Sequence, residues 1–249
     1  MRILCTNDDG YQATGILVLA SAASALGTVT TVAPDREQSA SSHSLTLHHP
    51  LRARRMVDGV WVVDGTPTDC VLLAVNELLD ESPDVCVSGV NHGANMGEDV
   101  LYSGTVAAAM EAMVMGIPAV ALSYAGDIHE DLGGWEDVVC AILKAILGRE
   151  DLPADTLFNV NLPPTAPADV MGIKVTSLGK RRYPDSITRA NDPSGREYFW
   201  IGGGVASWRG APDSDFQAVA DGYVSVTPLH LDLTNYELLE EIRAWDLTL

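Results

Sequence analysis

Three loops of this sequence carry side chains that could do chemistry. The first holds Asp8 and Asp9, the second holds Ser39, and the third holds Asn91 and Asn95 among glycines. Each loop follows an apolar run that is typical of a buried β-strand. Ligands of open parallel sheets bind beyond the carboxyl ends of the strands, so we expect the three loops to meet at one crevice.

The adjacent carboxylates of Asp8 and Asp9 indicate a cation site. Two neighbouring carboxylates repel each other, and a bound cation allows both to stay ionised. Hard oxygen ligands favour one divalent ion, Mg²⁺ or Mn²⁺. A structural alternative is open, because Asp-Gly is a common turn dipeptide and Asp8 could cap the following helix.

The segment 102–105, Tyr-Ser-Gly-Thr, could bind a phosphate. It precedes the strongly helical run 105–115, and the free N–H groups and positive dipole at a helix start attract anions. Ser103 is also suited to an ordinary N-cap, because serine is a preferred capping residue. If this segment binds a phosphate, the metal site and the anion site face each other.

An α/β fold has to position these loops. Apolar runs predict β-strands at 2–6, 28–33, 84–88, 119–123 and 157–161. Runs that are amphipathic or rich in small residues predict helices between these strands, at 15–26, 68–79, 105–115 and 135–147. This order predicts a three-layer, Rossmann-like, doubly wound and mostly parallel sheet. The alternating stretch 43–64, with Asp58-Gly59 as its turn, predicts an inserted β-hairpin.

We expect one α/β domain over 1–249, with a catalytic core at 1–165 and a C-terminal extension at 166–249. Beyond Pro164 the pattern loosens into strand candidates at 170–178 and 197–201 and a terminal helix at 235–245. We predict that the extension packs on the core or on a neighbouring subunit.

Composition excludes several classes of partner. Fifteen basic and 34 acidic residues give a net charge of −19, which disfavours binding to a nucleic acid duplex or an anionic membrane. No apolar run reaches membrane-spanning length and no signal peptide is recognisable, so we expect a cytoplasmic protein. The four cysteines form no CxxC pair and are expected to be buried free thiols: Cys5, Cys70, Cys86 and Cys140.

Other catalytic motifs do not occur. The sequence has no GxGxxG after the first strand and no GxxxxGK[ST], GxSxG or HExxH. Two further functions are open. An aspartyl-nucleophile phosphatase is one, although it usually has two aspartates separated by one residue and Asp8 and Asp9 are adjacent. The other is a non-catalytic nucleotide or phosphate sensor.

Several blocks of the sequence resemble the SurE family of stationary-phase survival nucleotidases. They are LCTNDDGYQATGI, VAPDREQSASSHSLTL, GTPTDCV and SGVNHGANMGEDVLYSGTVAAAMEA, in the family's order and spacing. The later segments GKRRYPD, YFWIGG and DGYVSVTPLH are similar to the family's C-terminal part. Tyr11 departs from the pattern, because many members have an aliphatic residue there.

The resemblance implies specific roles for the predicted site residues. A divalent metal would be held by Asp8, Asp9, Ser39 and Asn91, and the phosphate would be contacted by Asn95, Ser103, Gly104 and Thr105. Asp8 or Asp9 would also orient the attacking water. Apart from the resemblance, four further residues could close over the nucleotide or stack on its base, or could equally be surface and interface residues: Arg181, Arg182, Tyr183 and Trp200.

The resemblance also implies a substrate and an assembly. Members of the family hydrolyse nucleoside 5′- and 3′-monophosphates, and some act on short polyphosphate. They commonly form homodimers or homotetramers by exchanging C-terminal segments, which here would lie within 166–249.

Overall fold

The computed structural model describes residues 1–57, 59–127, 130–149, 152–153, 155–182, 187–201 and 207–247. Strands and helices alternate through the first two thirds of the chain. The strands are β1 (Arg2–Thr6), β2 (Thr28–Pro34), β3 (Ala53–Val57), β4 (Val60–Val63), β5 (Val85–His92), β6 (Ala119–Tyr124) and β7 (Leu157–Leu162). The helices are α1 (Thr14–Ser24), α2 (Pro67–Leu73), α3 (Gly104–Val114) and α4 (Glu136–Leu147).

The C-terminal part is built mainly of short elements. Its strands are β8 (Ile173–Val175), β9 (Lys180–Arg182), β10 (Ile187–Asn191), β11 (Glu197–Ile201), β12 (Ser207–Arg209) and β13 (Val224–Pro228), and its helices are α5 (Asp215–Ala220) and α6 (Tyr236–Ile242). The strand candidate at 170–178 is realised only by the three residues of β8.

One nine-stranded sheet organises the fold, in the order β3-β4-β2-β1-β5-β6-β7-β13-β8. Among the described residues, the five successive pairs from β4-β2 to β6-β7 are parallel, and so is β13-β8, whereas β3-β4 and β7-β13 are antiparallel. The predicted α/β class with a mostly parallel sheet is therefore confirmed. β3 and β4 pair where a hairpin was predicted, but Asp58 of its turn lies outside the described residues.

Apolar side chains form a core on each face of this sheet. Successive side chains of a strand point to opposite faces, so Ile3 joins one cluster and Leu4 joins the other. Helices α1 and α4 cover the first face, with Leu19 and Trp135 fully buried. Helices α2 and α3 cover the second face through small residues such as Ala108. The result is the expected three-layer arrangement.

The main sheet continues across residue 165. β13 pairs antiparallel with β7, and β8 pairs parallel with β13, so part of the predicted extension lies in the same sheet as the predicted core. β10 with β11, and β9 with β12, form two separate two-stranded sheets.

The four cysteines are free, as predicted. Three of them are buried, Cys5, Cys70 and Cys86, whereas Cys140 is only partly buried, contrary to the prediction. Burial raises the pKa of the Cys86 thiol to about 12, which makes it unreactive at neutral pH. In the described ranges, none of the helices has the length and apolar character needed to cross a membrane.

Candidate active site

The first two predicted loops are joined by main-chain contacts. The side chain of Asn7 closes the turn after β1 by donating from Nδ2 to the carbonyl oxygen of Gly10 at 2.9 Å. The N–H of Gln38, in the loop after β2, donates to the carbonyl oxygen of Asp8 at 2.7 Å. Gly10 has a φ of +96°, a conformation that favours glycine. These contacts bring the Ser39 loop to the Asp8 loop.

The start of helix α3 lies directly against Asp8. The hydroxyl of Thr105 donates to Asp8 Oδ1, and the Asp8 side chain is only 4% exposed. A Cβ added at Gly104 would lie 2.8 Å from Asp8 Cβ and 3.0 Å from Asp8 Oδ2. Only glycine leaves enough space for this approach. The structure therefore brings Gly104 and Thr105 together with Asp8.

Burial makes the two carboxylates difficult to ionise. It raises the pKa of Asp8 to about 6, against a lowering effect of the Thr105 hydrogen bond, and the charge of Asp9 raises this pKa further. Burial also raises the pKa of Asp9, although the N–H of His92 donates to its Oδ2 at 3.3 Å. A cation beside the pair would reverse both effects. This chemistry fits a metal site.

Asn91 and Ser39 can complete an oxygen donor set. Asn91 donates from Nδ2 to the carbonyl oxygen of Gly93 at 2.8 Å, and this leaves its Oδ1 for a ligand. Ser39 is exposed, and its hydroxyl donates to Glu37 Oε1 at 2.5 Å. No group of three His, Cys, Asp or Glu side chains in the described part of the chain could hold a metal. The predicted donor set is not such a group, because it combines two carboxylates with the hydroxyl of a serine and the amide oxygen of an asparagine.

A cavity of about 710 Å³ unites most of the predicted residues. Its lining includes Asp8, Ser39, Asn91, Asn95 and Ser103. The other three predicted residues adjoin this lining: Gly104 and Thr105 contact Asp8, and Asp9 accepts the N–H of the cavity residue His92. A volume of this size is typical of small-molecule sites.

Ser103 is the N-cap of helix α3. Its Oγ accepts the N–H of Val106 at 3.1 Å, so the capping interpretation of this serine is confirmed. The cap and a phosphate site are compatible, because the first N–H groups of the helix have no intrahelical partner. The eleven-residue helix α3 thus begins at the cavity wall.

Sequence reasoning missed a polar group beneath Asn95. Ser123 on β6 and both Asn159 and Asn161 on β7 are fully buried and hydrogen-bond to Asn95. The available signal was the alternation of asparagine with apolar residues in LFNVNL. Such alternation usually indicates a half-exposed strand, but here both faces are covered.

The nucleotide-closing candidates have different environments. Arg181 pairs with Asp99, which lines the cavity, and its guanidinium lies 4.9 Å from the centre of the Trp208 ring. Trp200 is 66% exposed on β11 and lies edge-on to Tyr198. Tyr183 is outside the described residues, and Arg182 is described only as the end of β9. Their roles remain predictions.

Comparisons with known proteins agree with the resemblance of the sequence blocks. A family model described as Survival protein SurE matches residues 3–185. The chain is 57% identical over 248 residues to the 5′-nucleotidase SurE of Gemmatimonas aurantiaca, with 98% of each chain covered. It is 52% identical to the 5′-nucleotidase SurE of Geobacter sulfurreducens, covering 100% of this chain and 95% of that one.

A solved structure shares the fold. The crystal structure of the SurE protein from Aquifex aeolicus superposes with a TM-score of 0.85 at 42% identity, and 98% of each chain is covered. Sequence and fold therefore agree over nearly the whole length, and the chain belongs to the SurE family.

Proposed function

We propose that the protein is a metal-dependent phosphomonoesterase that hydrolyses nucleoside 5′-monophosphates to nucleoside and phosphate. The observation that carries the proposal is the Asp8–Asp9 pair, in which Asp8 is buried against the start of helix α3, beside a cavity large enough for a nucleotide. The relatives' name, 5′-nucleotidase, supports the substrate class. We extend the proposal to 3′-monophosphates and short polyphosphate, as the resemblance implies.

Asp8, Asp9, Ser39 and Asn91 would hold one Mg²⁺ or Mn²⁺ ion per subunit. When bound, such an ion supplies charge neutralisation for phosphoryl oxygens and lowers the pKa of a water molecule. The Thr105 hydroxyl donates to Oδ1 of Asp8, which orients the carboxylate and leaves lone pairs on both of its oxygens for a ligand. The Ser39 hydroxyl donates its proton to Glu37, so its oxygen lone pairs stay available to the ion.

The phosphate would lie against the start of helix α3. Asn95 and the Ser103-Gly104-Thr105 segment would contact it, with the helix N–H groups donating to its oxygens. The charge of the protein is −19, so an anionic substrate needs this local positive potential. Asp8 or Asp9 would orient the water for attack in line with the leaving oxygen.

We also propose that the protein works in the cytoplasm as a homodimer or homotetramer. The side chains of β11 support an assembly through the C-terminal part, because Phe199, Trp200 and Ile201 are 57%, 66% and 90% exposed. Phe199 and Ile201 share one face of the strand and Trp200 lies on the other, and exposed apolar patches are typical of protein interfaces. Mass measurement in solution at several concentrations would test the assembly.

The test of the function is phosphate release from nucleoside 5′- and 3′-monophosphates with Mg²⁺, Mn²⁺ or a chelator. We expect release that needs the metal and is lost in Asp9→Asn. Nucleotide binding without release under every condition would contradict the enzyme and favour a sensor. A trapped phospho-aspartate would instead favour the aspartyl-nucleophile mechanism.

A further inference from the structure

Side chains of strand β7 take the place of main-chain partners for Asn95. The N–H of Asn95 donates to Asn161 Oδ1 at 2.9 Å. Its carbonyl oxygen accepts Asn161 Nδ2 at 3.0 Å and Asn159 Nδ2 at 2.7 Å. Asn95 lies outside helices and strands, so its main chain has no regular partner. The side-chain amide of Asn161 serves as that partner, because it offers both a donor and an acceptor.

The side chain of Asn95 is tied to the neighbouring strand. Its Nδ2 lies 2.8 Å from Ser123 Oγ, and Ser123 on β6 is the register partner of Asn161 on β7. Asn159 and Asn161 are two residues apart and therefore project from the same face of β7. Two adjacent parallel strands thus present three polar groups to one residue of the cavity.

These contacts are costly to build, and all of them converge on one residue. Ser123, Asn159 and Asn161 are each 0% exposed, and burying a polar side chain is unfavourable unless it is hydrogen-bonded. Apolar residues at these positions would add core contacts instead. The buried polar groups converge on Asn95, a residue of the proposed phosphate site, which indicates that they serve that residue.

We propose that Asn161, together with Asn159 and Ser123, is a positioning residue that fixes Asn95 against the phosphate. The inference rests on the proposed function. Asn161 acts through Asn95, because its amide contacts the Asn95 main chain and Asn95 lines the cavity. Asn159 reinforces only the carbonyl contact, which Asn161 also makes.

The expected effects are graded by the number of lost contacts. Asn161→Ala removes two of them and is expected to lower kcat/KM for adenosine 5′-monophosphate about 100-fold, the size expected for a displacement of about 1 Å in a catalytic site. Asn159→Ala is expected to cost about fivefold, because one neutral hydrogen bond is lost and Asn161 remains. Mn²⁺ affinity and a stoichiometry of one ion per chain, measured by calorimetry, should be retained.

A matched variant separates positioning from loss of stability. Thr176 makes hydrogen bonds to Ser225 Oγ at 2.8 Å and Thr227 Oγ1 at 2.7 Å, in a buried cluster at the same sheet. Thr176→Val removes two buried contacts without touching Asn95. Ser225 and Thr227 are the register partners of Asn161 and Asn159, so the variant loosens the neighbouring strand while the bonds to Asn95 stay in place. We expect it to lower the melting temperature but leave kcat/KM within about twofold, because Asn95 is still held.

The deciding experiment is a double-mutant cycle with Asn95→Ala. If Asn161 acts through Asn95, adding Asn161→Ala to Asn95→Ala should lower kcat/KM by less than about threefold. A further 100-fold loss in that background, or full activity of Asn161→Ala alone, would overturn the inference. An inactive wild-type protein would instead contradict the proposed function, so the two failures are distinguishable.

Discussion

Two walls of the cavity hold their polar groups in different ways. The Asn95 wall, formed by Asn95, Ser123, Asn159 and Asn161, is buried and joined by four hydrogen bonds. The Ser39 wall, residues 37–43, is mostly exposed, and the hydroxyl of Ser39 is bonded to its near neighbour Glu37. An exposed group can replace its hydrogen bond by one to water at little cost in free energy. A buried polar group that loses its partner is left unpaired, which costs much more free energy.

This difference divides the site into a fixed part and an adjustable part. Asn95 is already placed by the sheet, so binding needs little reorganisation there. Ser39 is exposed and its hydroxyl is bonded to a near neighbour in the chain, so the Ser39 wall is where we expect rearrangement on binding. Asp8 lies at the junction, because the Ser39 wall bonds to its main chain through Gln38 and helix α3 contacts its side chain.

The largest effect is expected from Asp8→Asn, which acts where both walls meet. Loss of one carboxylate should lower phosphate release at least about 1,000-fold, since a buried charge facing the reacting group is lost. Without metal the same variant should be more stable than the wild type at pH 7.5, by roughly 2–3 kcal/mol in the free energy of unfolding.

The sign of that stability effect follows from the raised pKa of Asp8. Its folded-state pKa of about 6 exceeds the ordinary 3.8, so its favourable contribution is complete below pH 3.8 and is lost as the pH rises through about 6. Urea unfolding of the metal-free proteins at pH 4 and pH 7.5 checks this. An equal stability of wild type and variant at both values would contradict the burial argument.

The next effect is expected from Asp215→Ala, which tests how the C-terminal part supports the cavity. The buried Asp215 carboxylate accepts N–H groups of Gly97 at 2.7 Å, Gly179 at 2.9 Å and Phe216 at 2.8 Å. Leaving three donors unpaired should lower the free energy of unfolding by about 3–5 kcal/mol. The exposed neighbour Asp213, changed to alanine, should stay within about 0.5 kcal/mol and serves as the control.

The site and the fold could be predicted from sequence to different extents. Strand and helix patterns predicted the sheet up to Leu162, and the carboxyl ends of its strands indicated where Asp8, Ser39 and Asn91 would meet. The pairing of β13 with β7 was not predicted, because contacts between distant segments leave no local pattern. Asn161 was missed because hydrogen bonding to a loop residue depends on three-dimensional position and not on spacing.

A smaller effect is expected from Thr105→Val, which removes the hydroxyl that supports Asp8. The Thr105 hydrogen bond lowers the pKa of Asp8, so its loss should move this pKa above about 6. Mn²⁺ binding at pH 6.5 should weaken about tenfold, because more of Asp8 is protonated, and should recover toward pH 8.5. Thr105→Ser keeps the hydroxyl and should bind Mn²⁺ as the wild type does. If Thr105→Val weakens Mn²⁺ binding equally at pH 6.5 and pH 8.5, protonation of Asp8 is not the cause.

The smallest effect is expected from His43→Ala, which loosens only the Ser39 wall. His43 Nε2 lies 2.7 Å from Oε2 of the buried Glu111 on helix α3, and this contact anchors the end of the wall. Because an exposed wall reorganises easily, its loss should weaken Mn²⁺ binding only about threefold to fivefold, the value of one hydrogen bond. His49→Ala, an exposed histidine of the same loop, should change nothing. A fall in kcat/KM of His43→Ala as large as the one expected for Asn161→Ala, about 100-fold, would show that both walls are equally preorganised, and the distinction between them would fail.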